Sequence, residues 1–284
     1  MPPTRQPIIL LVDNGSLEPA ATLALRKTAA RLAEAVKVDV RPVSLLHSSA
    51  IAPELLEGRP AAIVEPTLRT LAEANRTNIV IVPFFIGPSG AILNYLPERV
   101  RHLRKARPRL TVRIAPCLVD AASTDDRRVA ALLAERVRAA AAREKFTRPA
   151  VAVVDHGTPE RAVNAVRELV ARQTRSLLGS SARAVAAGSM ERRSGGEFDF
   201  NEPLLERLLD QQDFSAGEVI IARLFLLPGR HAGPGGDIEQ IAQAAAARHA
   251  QMKVAFTEPL GTHPGLIPIL GERLEQGLAA TPIA

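Results

Sequence analysis

Short apolar, β-branched runs alternate with alanine- and charge-rich stretches along the whole chain, which predicts alternating strands and helices. The first run, Ile8–Asn14, ends in a turn and reads as a strand buried on both faces. Ser16 is placed to cap the next element, with Glu18 and Pro19 in the first turn of a helix to about Ala35. Further strands are predicted at Val38–Leu45, Ile79–Ile86 and Leu110–Ala115. Helices are predicted from Glu65 to Asn75, near 97–106 and near 125–144.

The pattern then restarts. Ala150–Asp155 repeats the first strand, and Thr158-Pro159-Glu160 repeats the cap, proline and first-turn acid. Val185 falls in a second strand, Val219–Leu227 repeats the third, and Lys253–Phe256 is the fourth. VEPTLRTL from Val64 matches NEPLLERL from Asn201, pairing Glu65 with Glu202, and Glu135-Arg136 matches Glu272-Arg273 in the last helix. The chain is therefore read as an α/β duplication, residues 1–146 and 147–284, each half a small doubly wound parallel sheet flanked by helices.

Composition narrows the classes. At 284 residues, two domains are expected; 46% hydrophobic and 23% charged residues are ordinary for a globular protein. A single cysteine, Cys117, excludes an intrachain disulfide and any Cys-rich metal cage, and it reads as a small apolar filler. No apolar run reaches the ~20 residues that span a bilayer, and Ile8–Val12 is short of a signal-peptide core, so a cytoplasmic protein is expected. The net charge of +6 raises nucleic acid as a partner, but nine aromatic residues offer few stacking platforms. Residues 1–145 carry +8 and residues 146–284 carry −2, so the basic excess belongs to one half. Part of it clusters between Arg99 and Arg113, either on a solvated helix face or as a field that steers an acidic ligand.

Ligands of open parallel sheets bind beyond the carboxyl ends of the strands. In the second half those positions hold His156, Glu191 and His231: two imidazoles and a carboxylate, a set suited to Fe²⁺, Co²⁺ or Ni²⁺. His263 has Pro264 beside it and is read as structural, while His102 and His249 lie in helical stretches. The glycine-rich segments GPSG and GRHAGPGGD match neither a P-loop nor a dinucleotide fingerprint.

Three motifs carry a resemblance. VVDHGT (Val153–Thr158), LFLLPGRHAGPGGDI (Leu224–Ile238) and EPLGTHP (Glu258–Pro264) resemble the class II tetrapyrrole chelatases, which include sirohydrochlorin cobalt- and ferrochelatases of the CbiX/SirB type. The resemblance implies two chelatase-like domains, with His156 and His231 as metal ligands and proton acceptors and Glu191 as the acidic partner. It implies a divalent metal (cobalt or iron, with nickel possible) as substrate, no other cofactor, and sirohydrochlorin or a related polycarboxylate tetrapyrrole. Imidazole, with an unperturbed pKa of ~6.5, suits both ligation and proton removal near neutral pH. Arg192, Arg193 and Arg230 are candidates to pair with the carboxylates of that ligand.

The first half departs from this pattern. Asn14 stands in place of the first histidine, the loop GPSGAILNYLP has none, and His47 is aligned with Glu191. The first half is therefore read as a degenerate copy, and the second as the carrier of the site. The stretch RRSGGEFDFN is expected to lengthen the loop after the second strand of the second half. No nucleic acid or membrane partner is expected, and the chain is read as a monomer or weak homo-oligomer. Two other readings stay open: a metal or tetrapyrrole carrier without turnover, and an interaction protein on a retired chelatase fold.

Overall fold

The computed structural model describes residues 6–120 and 122–284. The first repeat contains β1 (Ile8–Asp13), α1 (Pro19–Val36), β2 (Val40–Ser44), α2 (Val64–Glu73) and β3 (Asn78–Pro83). It continues with α3 (Leu96–Ala106), β4 (Thr111–Ile114) and α4 (Arg128–Glu144). The second repeat contains β5 (Ala150–Asp155), α5 (Arg161–Leu178), β6 (Ala184–Ser189), α6 (Leu205–Leu209) and β7 (Gly217–Arg223). It ends with α7 (Asp237–Arg248), β8 (Met252–Phe256) and α8 (Leu266–Ala279).

Two four-stranded parallel sheets result, in the orders β2-β1-β3-β4 and β6-β5-β7-β8. Their central strands are apolar throughout because helices cover both faces. In β1, Ile8, Leu10 and Val12 join the core with Leu68, Leu96 and Val100, while Ile9 and Leu11 are equally buried on the opposite face. In β5, Ala150, Ala152 and Val154 pack with Leu205, Leu208 and Ile238.

Element ends differ from expectation for local reasons. The apolar runs after β3 and β7 continue past the sheet, where Phe85 and Phe225 accept backbone hydrogen bonds from Leu118 (3.0 Å) and Leu260 (2.8 Å). Ser16 and Thr158 do not cap the helices directly; each hydroxyl accepts the N–H two residues on (3.0 Å at Glu18 and at Glu160), and the helices begin just after. A π-turn over Ala91–Tyr95 precedes α3 and starts the helical path early. α4 starts only at Arg128, whose backbone and guanidinium are both held by the Asp126 carboxylate.

Packing crosses the repeat boundary. Residues 1–118 and 264–284 form one compact unit, and residues 119–263 the other. α4 leaves the first repeat to pack on α5, β7 and β8, and α8 leaves the second to pack on α1, β3 and β4. In the first unit, the buried Arg273 of α8 donates to the carbonyls of Cys117 (2.9 Å) and Leu118 (3.0 Å), and Ile283 N–H donates to Val112 (2.8 Å). In the second, Arg136 and Arg143 of α4 donate to Thr262 Oγ1 (2.7 Å) and Phe256 O (3.0 Å). Among the described residues no helix is long and apolar enough to cross a membrane.

Candidate functional site

The second unit places His156, Glu191 and His231 at the carboxyl edge of its sheet, directly after β5, after β6 and in the loop after β7. The two imidazole rings meet edge to face, 4.7 Å between centroids and 76° between planes, although they are 75 positions apart in the sequence. His156 Nε2 is 3.5 Å from Glu191 Oε1. His156 Nδ1 faces the Gly157 carbonyl at 3.3 Å, and a carbonyl only accepts, so Nδ1 is the protonated nitrogen in that contact. His231 Nδ1 lies 2.5 Å from Asp237 Oδ2, at the first residue of α7. A carboxylate holding Nδ1–H turns the Nε2 lone pair outward, the arrangement found behind metal-binding histidines. Both rings thus carry their lone pair on Nε2, that of His156 with Glu191 Oε1 beside it.

The backbone fixes this edge. Gly157 adopts φ +93°, and a Cβ there would fall 1.9 Å from the Glu191 carbonyl, so the His156 turn and the Glu191 loop touch only because the residue is glycine. Beneath the turn, Asp155 Oδ1 accepts the Gly157 N–H (3.0 Å) and faces the fully buried Arg167 guanidinium (3.3 Å). Burial pushes the Asp155 carboxyl up, against the opposing pull of Arg167. Asn201, also fully buried, exchanges two hydrogen bonds with the Thr158 backbone (3.0 and 2.9 Å) and so joins the loop after β6 to the His156 turn. Among the described residues, no three His, Cys, Asp or Glu side chains stand close enough together to hold a metal ion.

The CbiX family profile matches residues 8–140 and again 150–277, one copy on each repeat. The chain belongs to the CbiX family. Its fold is similar to that of SirB from Bacillus subtilis with Fe3+, with a TM-score of 0.67 and 15% identity over 96% of each chain. It is similar too to the cobalt complex of the sirohydrochlorin chelatase SirB from Bacillus subtilis subspecies spizizenii, with a TM-score of 0.66 and 14% identity over 98% of this chain and 100% of that one. No curated protein sequence matches the chain.

Within this CbiX-family chain, the two units can be superposed residue by residue through their hydrogen bonds, and two expected pairings change. Glu191 N–H donates to His156 O (3.1 Å), and the bond in the same place in the first unit runs from Leu46 to Asn14 (3.2 Å). Leu46, not His47, is therefore the counterpart of Glu191; His47 sits one residue on, exposed and at φ +66°. Ser44 bridges Ile63 where Ser189 bridges Leu204, so Glu65 corresponds to Glu206 rather than Glu202. The loop after the second strand is consequently not the longer one in the second unit: 45–63 precedes α2, but only 190–204 precedes α6. Phe84 and Leu224 donate to equivalent carbonyls of Val12 and Val154, and counting on from each sets Ala91 opposite His231. Asn14, Leu46 and Ala91 thus occupy the three candidate positions in the first unit.

The remaining candidates have structural partners. Arg192 holds its own loop, reaching Glu202 (2.8 Å), Asp199 (3.0 Å) and Gly195 O (3.1 Å), and Arg193 lies over the Phe198 ring. Arg230 is exposed. His263 pairs with Glu135 of α4 at 3.2 Å, and His249 with Asp210 at 2.7 Å. Cys117 is buried, and burial pushes its thiol up to about 12, which leaves it an apolar filler. Sequence reasoning missed Asp237, Arg167 and Asn201. Asp237 had a signal, an acid at a helix start six residues after a candidate histidine; the other two had none, since each gains its partner only through tertiary contact.

Proposed function

We propose that the chain inserts a divalent metal, cobalt or iron, into sirohydrochlorin or a related polycarboxylate tetrapyrrole. The observation that carries this reading is the His156–His231 pair, 4.7 Å apart at the strand ends, with Nε2 of both rings unencumbered by backbone. Membership of the CbiX family supports it, as does a fold shared with SirB structures that hold iron and cobalt. In this reading the two imidazole nitrogens take up the ion, and the Glu191 carboxylate, 3.5 Å from His156 Nε2, closes on it as the third donor when the metal arrives. Three donors on a partly exposed edge leave coordination positions open, which keeps the ion exchangeable. As the ion enters the ring, two pyrrole N–H protons depart, and the imidazoles that release the metal accept them. Asp237 steadies the charge that His231 gains when protonated.

The test is anaerobic: protein, sirohydrochlorin and Co²⁺ or Fe²⁺ are mixed and the absorbance change of the macrocycle is followed. Insertion faster than the protein-free rate is expected, with His156→Ala and His231→Ala each losing on the order of 100-fold in kcat/KM and Glu191→Gln about 10-fold. Stoichiometric binding without acceleration would replace this reading with a carrier, and binding of neither ligand would leave an interaction protein.

A further inference from the structure

Two arginines of the second unit are buried for reasons its core does not require. Arg167, on α5, is 1% exposed, and Arg223, the last residue of β7, is 8% exposed. A buried guanidinium is costly unless its donors are used; Arg167 engages all three of its nitrogens, and Arg223 engages Nε and Nη1. Arg167 reaches Asp155 (3.3 Å), Glu168 (3.0 Å), the Ser189 hydroxyl and Phe200 O (3.4 Å). Apart from Glu168 on α5 itself, these partners end β5, end β6 and lie in the loop beyond, so one side chain ties together the segments that carry His156 and Glu191. Arg223 donates to Thr257 O (2.7 Å) and to Ala232 O (2.5 Å), the carbonyl next to His231, and it stands 3.7 Å from Glu239, which in turn accepts Gly235 N–H of the same loop (2.8 Å).

The first unit provides the comparison. α1 and α5 have equal length, and the residue at the seventh position is Leu25 in one and Arg167 in the other. β1 pairs Val12 with Pro83 where β5 pairs Val154 with Arg223. Both guanidiniums are thus missing from the unit in which Asn14 and Ala91 replace both histidines, although that unit builds the same sheet.

We propose that Arg167 and Arg223 are positioning residues, each locking one histidine loop so that the His156 and His231 rings are held at a fixed separation. The inference rests on the metal reading above for its consequence, but not for its geometry. Arg167→Leu copies the residue that the first unit already tolerates, and Arg223→Met keeps the aliphatic stem. Two readouts on the full chain are needed. The first is titration with Co²⁺ while its visible absorption is recorded; the second is the nuclear Overhauser contact between the His156 and His231 ring protons in the metal-free protein, assigned with the single histidine variants.

With far-UV dichroism unchanged, each variant is expected to bind Co²⁺ about 10–100-fold more weakly, with an altered cobalt spectrum and a lost ring-to-ring contact. Arg167→Lys and Arg223→Lys keep the charge without the fork, so they recover part of both signals. They also decide the matter if the apolar variants fail to fold: weaker binding and a reduced ring contact in folded Lys variants support the inference, and wild-type values overturn it. Unchanged cobalt affinity and an unchanged ring contact in folded Arg167→Leu and Arg223→Met overturn it as well. If the wild-type chain binds no Co²⁺, the metal reading fails, and the ring contact alone decides the positioning role.

Discussion

Asp13 and Asp155 end the first strand of their units, and only the second has a cation beside it. Leu25 stands where Arg167 does, and Asp13 keeps one carboxylate oxygen buried without a partner. Burial accordingly pushes the Asp13 carboxyl up to about 6, against the hydrogen bonds from Ser44 and Gly15 that favour its charged form. A carboxyl whose folded pKa lies above the unfolded value of 3.8 holds its proton more tightly in the folded state. Its cost is absent below about pH 4, grows between 4 and 6, and is complete above 6, where it amounts to as much as about 3 kcal/mol. Asp13→Asn, which keeps an acceptor for Gly15 and Ser44, is expected to raise the melting temperature at pH 7, with the gain shrinking to nothing near pH 4. Denaturation scans across that range check it. Histidines directly after apolar strands are legible in a sequence because strand ends are. The guanidinium behind Asp155 is not, because helix periodicity does not say which buried position faces a strand end.

Elements were legible wherever both faces of a strand had to be apolar or a helix ran several turns; registers between short elements were not. VEPTLRTL and NEPLLERL share a Glu-Pro that invites pairing, yet the bridges at Ser44 and Ser189 set the two segments four residues apart. A helix as short as α6 has too few turns for its apolar period to correct such a match. The longer α8 shows how closely a helix can be required to sit. A Cβ on Gly277 would lie 2.8 Å from Ala115 Cβ and 3.0 Å from Val80 Cγ1. Gly277→Ala is expected to destabilise the first unit by about 1–3 kcal/mol through overpacking, despite its better helix propensity. The same substitution leaves Co²⁺ binding at His156 and His231 unchanged, because α8 belongs to the unit without them; chemical denaturation and a cobalt titration read the two effects separately. At Gly157, where the Cβ would strike Glu191 O, alanine is expected to weaken Co²⁺ binding about 10-fold or more.

At the scale of the whole molecule, repetition in sequence and closure in space follow different boundaries. The family profile matches 8–140 and 150–277, while the packed units are 119–263 and the two outer segments together. Periodicity revealed the copies but not the exchange of their final helices, because an amphipathic pattern shows that a helix has an apolar face, not which sheet receives it. A fragment of residues 119–263 is expected to fold cooperatively and to bind Co²⁺, whereas 147–284 lacks α4 over β7 and β8 and is expected to do neither; thermal scans and cobalt titration of the two fragments check this. The exchange also imposes an order in time. On the ribosome the strands of residues 8–114 emerge first, but α8, which covers β3 and β4, is made last. The segment ending at His263 has all its parts before α8 has been translated, so it closes first, reversing the usual amino-terminal-first order. The half begun earliest is therefore completed after the other, and the apolar surface around Val80 and Ala115 waits uncovered until α8 has been made.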